Sequence, residues 1–103
     1  MRRKKREKKI KEETYSLDYT MIVWLNEHLK VYRECADKCI DLEYHKYEYK
    51  GKERPFKWFV DRLIGITEIL KVESIYFPPT ERTGKLIDEM YDILKLVHFS
   101  LWW

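Results

Sequence analysis

Hydrophobic and polar residues alternate along most of the chain with the three- and four-residue spacing that is typical of helices packed on one side. The longest such segment runs from Tyr19 to Tyr49 without a glycine or proline. The pattern therefore predicts a first helix over about residues 17–48, with Ser16 or Asp18 as its N-cap. The apolar stripe of this helix consists of Ile22, Leu25, Leu29, Tyr32, Ala36, Cys39 and Ile40.

The spacing weakens toward the end of this long segment. Tyr44, Tyr47 and Tyr49 are separated by three and two residues, which fits neither the helical nor the strand period well. Two interpretations stay open here: a helix that frays near Tyr47, and an extended segment. Gly51 and Pro55 end the segment in either case.

Two further helices are predicted downstream, separated by a proline-rich segment. The second covers about residues 55–72, because Pro55 suits a first helical position and apolar residues then recur on one face. The third covers about residues 83–102, with Thr80 or Thr83 as its cap. Its apolar stripe consists of Leu86, Met90, Ile93, Leu94, Val97 and Leu101. The predicted fold is all-α, a three-helix bundle with one long N-terminal helix.

The distribution of charge changes this picture at the N-terminus. The chain has 103 residues, 45% hydrophobic and 38% charged, which is too apolar for a disordered chain and too charged for a membrane protein. Its net charge is +3, but residues 1–13 contain eight Lys or Arg and three Glu. They carry +5, so the rest carries 3 − 5 = −2. We therefore expect a flexible basic tail at 1–13, disordered alone or at most a frayed helical extension, and a single helical domain at 14–103.

The basic tail is the strongest functional signal in the sequence. Flexible lysines and arginines neutralise phosphates and gain from counterion release without reading base sequence. Nonspecific contact with DNA or RNA is therefore expected through Arg2, Arg3, Lys4, Lys5, Arg6, Lys8, Lys9 and Lys11. The alternatives are a tail that only solubilises the protein, or one that binds an anionic membrane surface or a protein; a second apolar membrane anchor is missing.

Aromatic residues mark two further candidate surfaces. Tyrosines and cations interleave at 44–54, a pattern that suits stacking on single-stranded bases but also suits rings that cover the end of a bundle. The C-terminal VHFSLWW either folds back onto the first helix or forms a homodimer interface, where Trp is a favoured anchor. A protein–protein adaptor or inhibitor is thus the alternative function, with interface residues Tyr44, Tyr47, Tyr49, Phe99, Leu101, Trp102 and Trp103.

The two cysteines are not expected to bind metal or to pair with each other. Cys35 and Cys39 stand one turn apart on the first helix, where disulfide geometry is poor, so we expect free, buried thiols in a reducing cytoplasmic compartment. Together with His28 and His45 they span about four turns, too far for one zinc ion. No metal or cofactor is expected, and the longest nearly uncharged segment, 93–103, is too short to span a membrane.

Acidic residues on two of the helices give one enzymatic alternative. Glu89 and Asp92 form an E-x-x-D pair on the third helix, and Glu34, Asp37 and Asp41 lie on the first. This pattern resembles the acidic constellation of the MazG-like all-α nucleotide pyrophosphohydrolases, in which such groups bind magnesium and the phosphates of a nucleotide. The resemblance implies hydrolysis that depends on magnesium and uses four of these residues, Glu34, Asp37, Glu89 and Asp92.

This chain departs from that family's pattern, because the Glu-Glu-x-x-Glu segment is absent near Glu34. A Gly-rich phosphate loop and a nucleophile motif are also missing from the sequence. The sequence therefore favours a small non-enzymatic binding protein, with the hydrolase as a remote alternative. Its size, aromatic content and basic N-terminus are compatible with a virus-encoded accessory protein.

Overall fold

The computed structural model describes residues 2–73 and 80–102. Trp103 and most of the proline-rich segment, residues 74–79, lie outside this part of the chain. The described elements are α1 (Arg2–Glu13), a 3-10 turn (Thr14–Ser16), α2 (Leu17–Cys39), β1 (Lys46–Tyr49), β2 (Lys52–Pro55), α3 (Phe56–Glu73), α4 (Glu81–Val97) and a second 3-10 turn (His98–Ser100). The mainly helical class is confirmed, but the prediction of a pure three-helix bundle is wrong because a two-stranded sheet is present.

Helix α3 is the centre of the body, and α2 and α4 pack against it. Its buried residues recur at helical spacing along one wide face and are Phe56, Phe59, Val60, Leu63, Ile66, Thr67 and Leu70. Helix α2 adds Ile22, Leu29 and Ala36 to the core, and α4 adds Met90, Ile93 and Val97. The apolar stripes predicted for the three helices thus meet in one core.

Helix α2 ends at Cys39, well before the predicted end at residue 48. Ile40 is already extended, with φ −136° and ψ 159°. The carboxylate of Asp41 then accepts the backbone N–H of Glu43 at 2.9 Å, and such a side-chain contact replaces the helical hydrogen bond with a turn. The prediction of one helix over 17–48 is therefore wrong for its last nine positions.

A β-hairpin takes the place of those last helical turns. Strands β1 and β2 pair antiparallel, with Tyr47 opposite Arg54. The two turn residues, Lys50 and Gly51, have positive φ angles of 52° and 75°, which is typical of the type I′ turn that suits the twist of paired strands. The two-residue spacing of Tyr47 and Tyr49 was thus a strand signal, because both side chains lie on one face of β1.

Residues 2–13 form helix α1, in place of the predicted disordered tail. Lys, Arg and Glu all have high helix propensity. Arg3 Nε also donates to Glu7 Oε1 at 3.2 Å, one helical turn away. A 3-10 turn connects α1 to α2, and Thr14 Oγ1 donates to the carbonyl of Lys11 at 2.7 Å across this junction. Every described side chain of α1 is exposed, so local propensity rather than packing accounts for this helix.

Both ends of α3 and the start of α4 lie close to the predicted positions, whereas the end of α4 does not. Pro55 ends β2 instead of beginning α3. Thr80 is the cap of α4, because its hydroxyl accepts the backbone N–H of Thr83 at 3.1 Å. Helix α4 ends at Val97, before the predicted residue 102.

Polar side chains fix the helices relative to one another. Arg33 of α2 donates from Nε to Asp61 of α3 at 2.9 Å. Arg62 of α3 binds Glu89 of α4 through two hydrogen bonds. The bidentate hydrogen bond from Arg62 lowers the pKa of the Glu89 carboxyl. The central helix is therefore connected to both neighbours by ion pairs at the edge of the core.

Candidate functional site

Helix α1 presents a wide cationic face. Successive residues in an α-helix are rotated by about 100°, so Lys4, Lys8 and Lys11 lie in one stripe along the helix. The stripe next to it carries Lys5 and Lys9. Together these residues cover about half of the helix surface, over a helix about 18 Å long. The predicted nucleic-acid contacts thus lie on a regular helix, and several of them share one face.

Most of the cations on α1 have no ion-pair partner among the described residues. Arg3 pairs with Glu7 at 3.2 Å. In the part of the chain that the structure describes, which excludes the side chain of Arg2, no ion pair involves Lys4, Lys5, Arg6, Lys8, Lys9 or Lys11. The first turn also contains no acidic residue, although the N-terminal end of a helix dipole favours anions. An anionic partner would therefore relieve repulsion within this helix.

The tyrosines of the hairpin contribute mainly to packing. The rings of Tyr47 and Tyr49 lie edge-on to Phe59, with centroids 5.9 and 6.1 Å from it. The hydroxyl of Tyr47 is hydrogen-bonded to Ser100. Tyr44 lies before β1 and has an exposed ring. Among the three candidate tyrosines, Tyr44 thus offers the largest free surface to a partner.

The C-terminal segment folds back onto α2. Tyr32 donates from its hydroxyl to the carbonyls of Ser100 and Trp102, at 3.2 and 2.9 Å. Burial raises the pKa of Tyr32. Leu101 packs against the core, whereas the side chain of Phe99 is 92% exposed and that of Trp102 is also mainly exposed. The backbone of this segment is therefore fixed while its two described rings remain in solvent.

The loop after α2 and the C-terminal segment enclose a small recess of about 240 Å³. Its lining includes Tyr44 and His45 from the loop, Ser100 and Trp102 from the C-terminal segment, and Phe56. The Tyr-rich segment and Trp102 of the C-terminal segment, both predicted as interface regions, thus meet at one surface.

Sequence reasoning missed an apolar groove of about 570 Å³ between α2 and α4. Its walls include Leu17, Met21 and Trp24 of α2, together with Ile87 and Tyr91 of α4. The sequence signal was a second set of apolar positions on α2, beside those that face the core. That set is indistinguishable from a core stripe until the positions of α3 and α4 are known.

The acidic residues of the hydrolase alternative are distributed over separate surfaces. Glu89 is bound by Arg62, and Asp37 is bound by Arg33 at 3.3 Å. Glu34 and Asp92 are exposed on different helices. Over residues 2–73 and 80–102, no group of three or more His, Cys, Asp or Glu side chains is arranged to hold a metal ion.

The two cysteines are free thiols, as predicted, but their surroundings differ. Cys35 is half-buried on α2, whereas Cys39 is exposed at its end. The expectation of two buried packing residues is wrong for Cys39, because the chain leaves the helix at Ile40 and does not cover it.

None of the helices in the described part of the chain has the length and apolar character needed to cross a membrane. No family model, curated protein or solved structure matches this chain.

Proposed function

We propose that this chain is a non-enzymatic helical binding protein whose α1 helix binds DNA or RNA through the phosphates, without reading base sequence. The observation that supports this proposal is the cationic face of α1, whose lysines are exposed and free of ion pairs within the described chain. The rest of the protein carries a net charge of −2. Phosphates are therefore attracted to α1 and weakly repelled by the body.

The geometry limits how many phosphates one helix can contact. A duplex cannot surround α1. About three to five cationic side chains, those of one stripe and its neighbours, would therefore contact the DNA phosphates at the same time. Each neutralised phosphate contributes about −0.9 to the slope of log Kobs against log salt on B-DNA. We expect a slope of roughly −3 to −4 and dissociation constants of about 10⁻⁴ to 10⁻⁶ M at physiological salt.

The test replaces one stripe of α1 and compares it with a matched change elsewhere. The variant Lys4→Gln/Lys8→Gln/Lys11→Gln removes three charges from α1. The control Lys38→Gln/Lys85→Gln/Lys95→Gln removes three exposed charges from the body. Fluorescence anisotropy with labelled duplex DNA, single-stranded DNA and RNA at several salt concentrations gives affinity and slope. The α1 variant should lose about two to three units of slope on the duplex, and the control should lose much less.

Equal effects of the two triple variants would contradict the proposal, since net charge alone would then account for binding. An anionic membrane surface also presents phosphates to such a cationic helix. A binding assay with vesicles that contain phosphatidylserine distinguishes membrane phosphates from nucleic-acid phosphates. Binding to vesicles without measurable binding to any nucleic acid would reject the nucleic-acid proposal.

A protein partner at the aromatic recess is the second candidate function. It is supported by the juxtaposition of Tyr44 and Trp102 around the recess and by the exposed ring of Phe99, since exposed aromatic rings are favoured anchors at interfaces. Proximity labelling with the full chain should recover a partner that Tyr44→Ala and Trp102→Ala both lose. Tyr15→Ala, which removes another exposed tyrosine, should retain it. Loss of the same proteins in all three variants would argue against a specific site at the recess.

A further inference from the structure

Helix α2 carries two apolar stripes, and the core covers one of them. The core stripe includes Ile22, Leu29 and Ala36. A second stripe, here named the heptad stripe, follows alternating four- and three-residue steps without interruption. It consists of Leu17, Met21, Trp24, His28, Val31 and Cys35. A mean spacing of 3.5 residues keeps side chains facing a single neighbouring helix over several turns.

This stripe lies at the surface of the protein. Leu17, Met21, Trp24 and Val31 are each between 50% and 61% exposed. The ring of His28 stacks on Trp24 in the middle of the stripe, with centroids 3.9 Å apart and planes at 20°. Tyr91 of α4, also half-exposed, lies across the groove beside it.

The exposed area is comparable to half of a small dimer interface. Aromatic side chains have areas of about 150–250 Å² and aliphatic ones somewhat less. The five half-exposed side chains of this surface therefore present roughly 500 Å² on one copy; they are Leu17, Met21, Trp24, Val31 and Tyr91. This value lies near the top of the range for the largest apolar patch of a typical monomer. Two copies would bury about 1,000 Å² of apolar surface, and polar residues at the rim bring the total near the 1,200 Å² of a stable interface.

The order of large and small residues along the stripe makes it complementary to itself. The large side chains, Leu17, Met21 and Trp24, lie in its N-terminal half, and the smaller Val31 and Cys35 lie in its C-terminal half. Around a two-fold axis near residue 26, two antiparallel copies of α2 would form alternating layers of the coiled-coil type. In those layers Leu17 faces Cys35, Met21 faces Val31 and Trp24 faces His28 of the second copy.

We propose that the heptad stripe is the interface of an antiparallel homodimer of this chain. The interface uses α2 and the adjacent wall of α4, and it is separate from the recess at the C-terminus. Glu27 and Glu34 border the stripe on its outer side and are exposed. This acidic border disfavours nucleic acid on the same face, so the surface is distinct from the cationic face of α1.

The first experiment measures molecular mass from low micromolar to several hundred micromolar concentration by light scattering or sedimentation equilibrium. Val31→Glu introduces a charge into the stripe. Val72→Glu is a matched control, because the two valines are 61% and 63% exposed and each follows a Glu by four residues. The wild type should reach twice 12.9 kDa. Val31→Glu should weaken dimerisation at least about tenfold, and Val72→Glu should leave it unchanged.

A second variant, Met21→Glu, tests the same stripe independently if Val31→Glu does not fold. Circular dichroism must show that both variants keep the helical content of the wild type. A wild-type monomer at every concentration would overturn the proposal. Equal dimerisation of the wild type and both stripe variants would also overturn it.

Cross-linking tests the antiparallel order directly. In the background Cys39→Ser, the one remaining cysteine is Cys35. Adding Leu17→Cys should give a covalent dimer on treatment with diamide, because residue 17 faces Cys35 of the second copy. Without Leu17→Cys, no covalent dimer should form. Efficient cross-linking through Cys35 alone would place the two Cys35 side chains together and would contradict the antiparallel arrangement.

Discussion

Asn26 is a fully buried polar residue between α2 and α3, and its substitution gives the sharpest test of the packing described above. Its Nδ2 donates to Thr67 Oγ1 at 3.0 Å and to Glu68 Oε2 at 2.8 Å, with a longer contact of 3.3 Å to the Ile64 carbonyl. Lys71 Nζ donates to Asn26 Oδ1 at 3.2 Å. Both ends of the amide are therefore satisfied inside the helix interface.

Two substitutions of Asn26 separate packing from electrostatics. Asn26→Ala removes hydrogen bonds worth about 1 kcal/mol each and leaves a small cavity, so we expect a loss of about 2–3 kcal/mol. The groups that bind Asn26 in the wild type keep other partners in this variant. Thr67 also donates to the Leu63 carbonyl at 2.8 Å, and Glu68 also pairs with Lys30 at 2.9 Å.

Asn26→Asp keeps the volume of the side chain but replaces the hydrogen-bond donor Nδ2 with an acceptor oxygen. A carboxylate oxygen would take the place of Nδ2, which now lies 2.8 Å from Glu68. Hydrogen bonds from Lys30 and then Asn26 lower the pKa of Glu68, so two carboxylates would meet at neutral pH. A buried charge without adequate compensation costs about 3–5 kcal/mol, of which Lys71 offsets a part. We therefore expect Asn26→Asp to be more destabilising than Asn26→Ala.

Urea denaturation followed by circular dichroism at one fixed protein concentration measures both variants. Burial raises the pKa of an introduced carboxyl, so the penalty of Asn26→Asp should shrink as pH falls toward the ordinary Asp pKa of about 3.9. The Asn26→Ala penalty should change much less with pH. If Asn26→Asp proves milder than Asn26→Ala at pH 7, packing outweighs electrostatics here and the reasoning fails.

Four further substitutions test other parts of the fold by the same denaturation assay. Glu89→Gln should cost about 1–2 kcal/mol at neutral pH, near the lower end for charged hydrogen bonds because Arg62 is partly exposed. Since Arg62 lowers the pKa of Glu89, that stabilisation is present above the ordinary Glu pKa of about 4.3 and is lost as pH falls through the lowered pKa. Gly65→Ala should stabilise α3 by up to about 1 kcal/mol, because an added Cβ meets nothing within 4 Å. Gly51→Ala should destabilise the hairpin by about 1 kcal/mol, because its φ is +75°. Tyr49→Phe should be neutral or stabilising, because the buried Tyr49 hydroxyl has no hydrogen-bond partner among the described residues.

Three of these four expectations would be contradicted by a specific result. A Glu89→Gln penalty that persists undiminished in acid would show that the ion pair contributes little. Destabilisation by Gly65→Ala would indicate a close approach to α3 that the structure does not contain. A clear loss of stability in Tyr49→Phe would show that its hydroxyl is satisfied.

The sequence predicted the core of α3 and α4 well, because each has one apolar face and that face meets the rest of the protein. The sequence-based prediction was wrong where a helical pattern competes with a turn and strand pattern. After Cys39 the lack of glycine and proline favoured continued helix, but Asp41 can form a turn locally and the alternating tyrosines can form a strand. Helix α1 was expected at most as a frayed extension of the first helix, for a different reason. Disorder was inferred from the lack of burial, whereas a helix of Lys, Arg and Glu needs no burial to form when it continues into α2.

The exposed surfaces could be predicted only in part. The cationic surface at the N-terminus could be predicted from the sequence, because the effect of these charges does not depend on how the helices pack. The heptad stripe is different, since its residues have the same chemistry as core residues. Whether Val31 or Leu29 faces the core depends on where α3 lies, and that is determined by long-range packing. Sequence reasoning therefore found the candidate nucleic-acid residues but not the groove beside α2.

The two proposals together make a prediction that neither makes alone. In an antiparallel dimer, the two α1 helices would project from opposite ends of the paired α2 helices. Helix α2 has 23 residues and is therefore about 35 Å long, a distance that corresponds to roughly ten base pairs at 3.4 Å each. A duplex of about ten base pairs should therefore contact one α1, whereas one of about thirty can reach both and gain from effective concentration. Val31→Glu should then weaken binding to the long duplex by tenfold or more and leave the short one unchanged. If the variant binds both lengths as the wild type does, the dimer does not join two nucleic-acid sites.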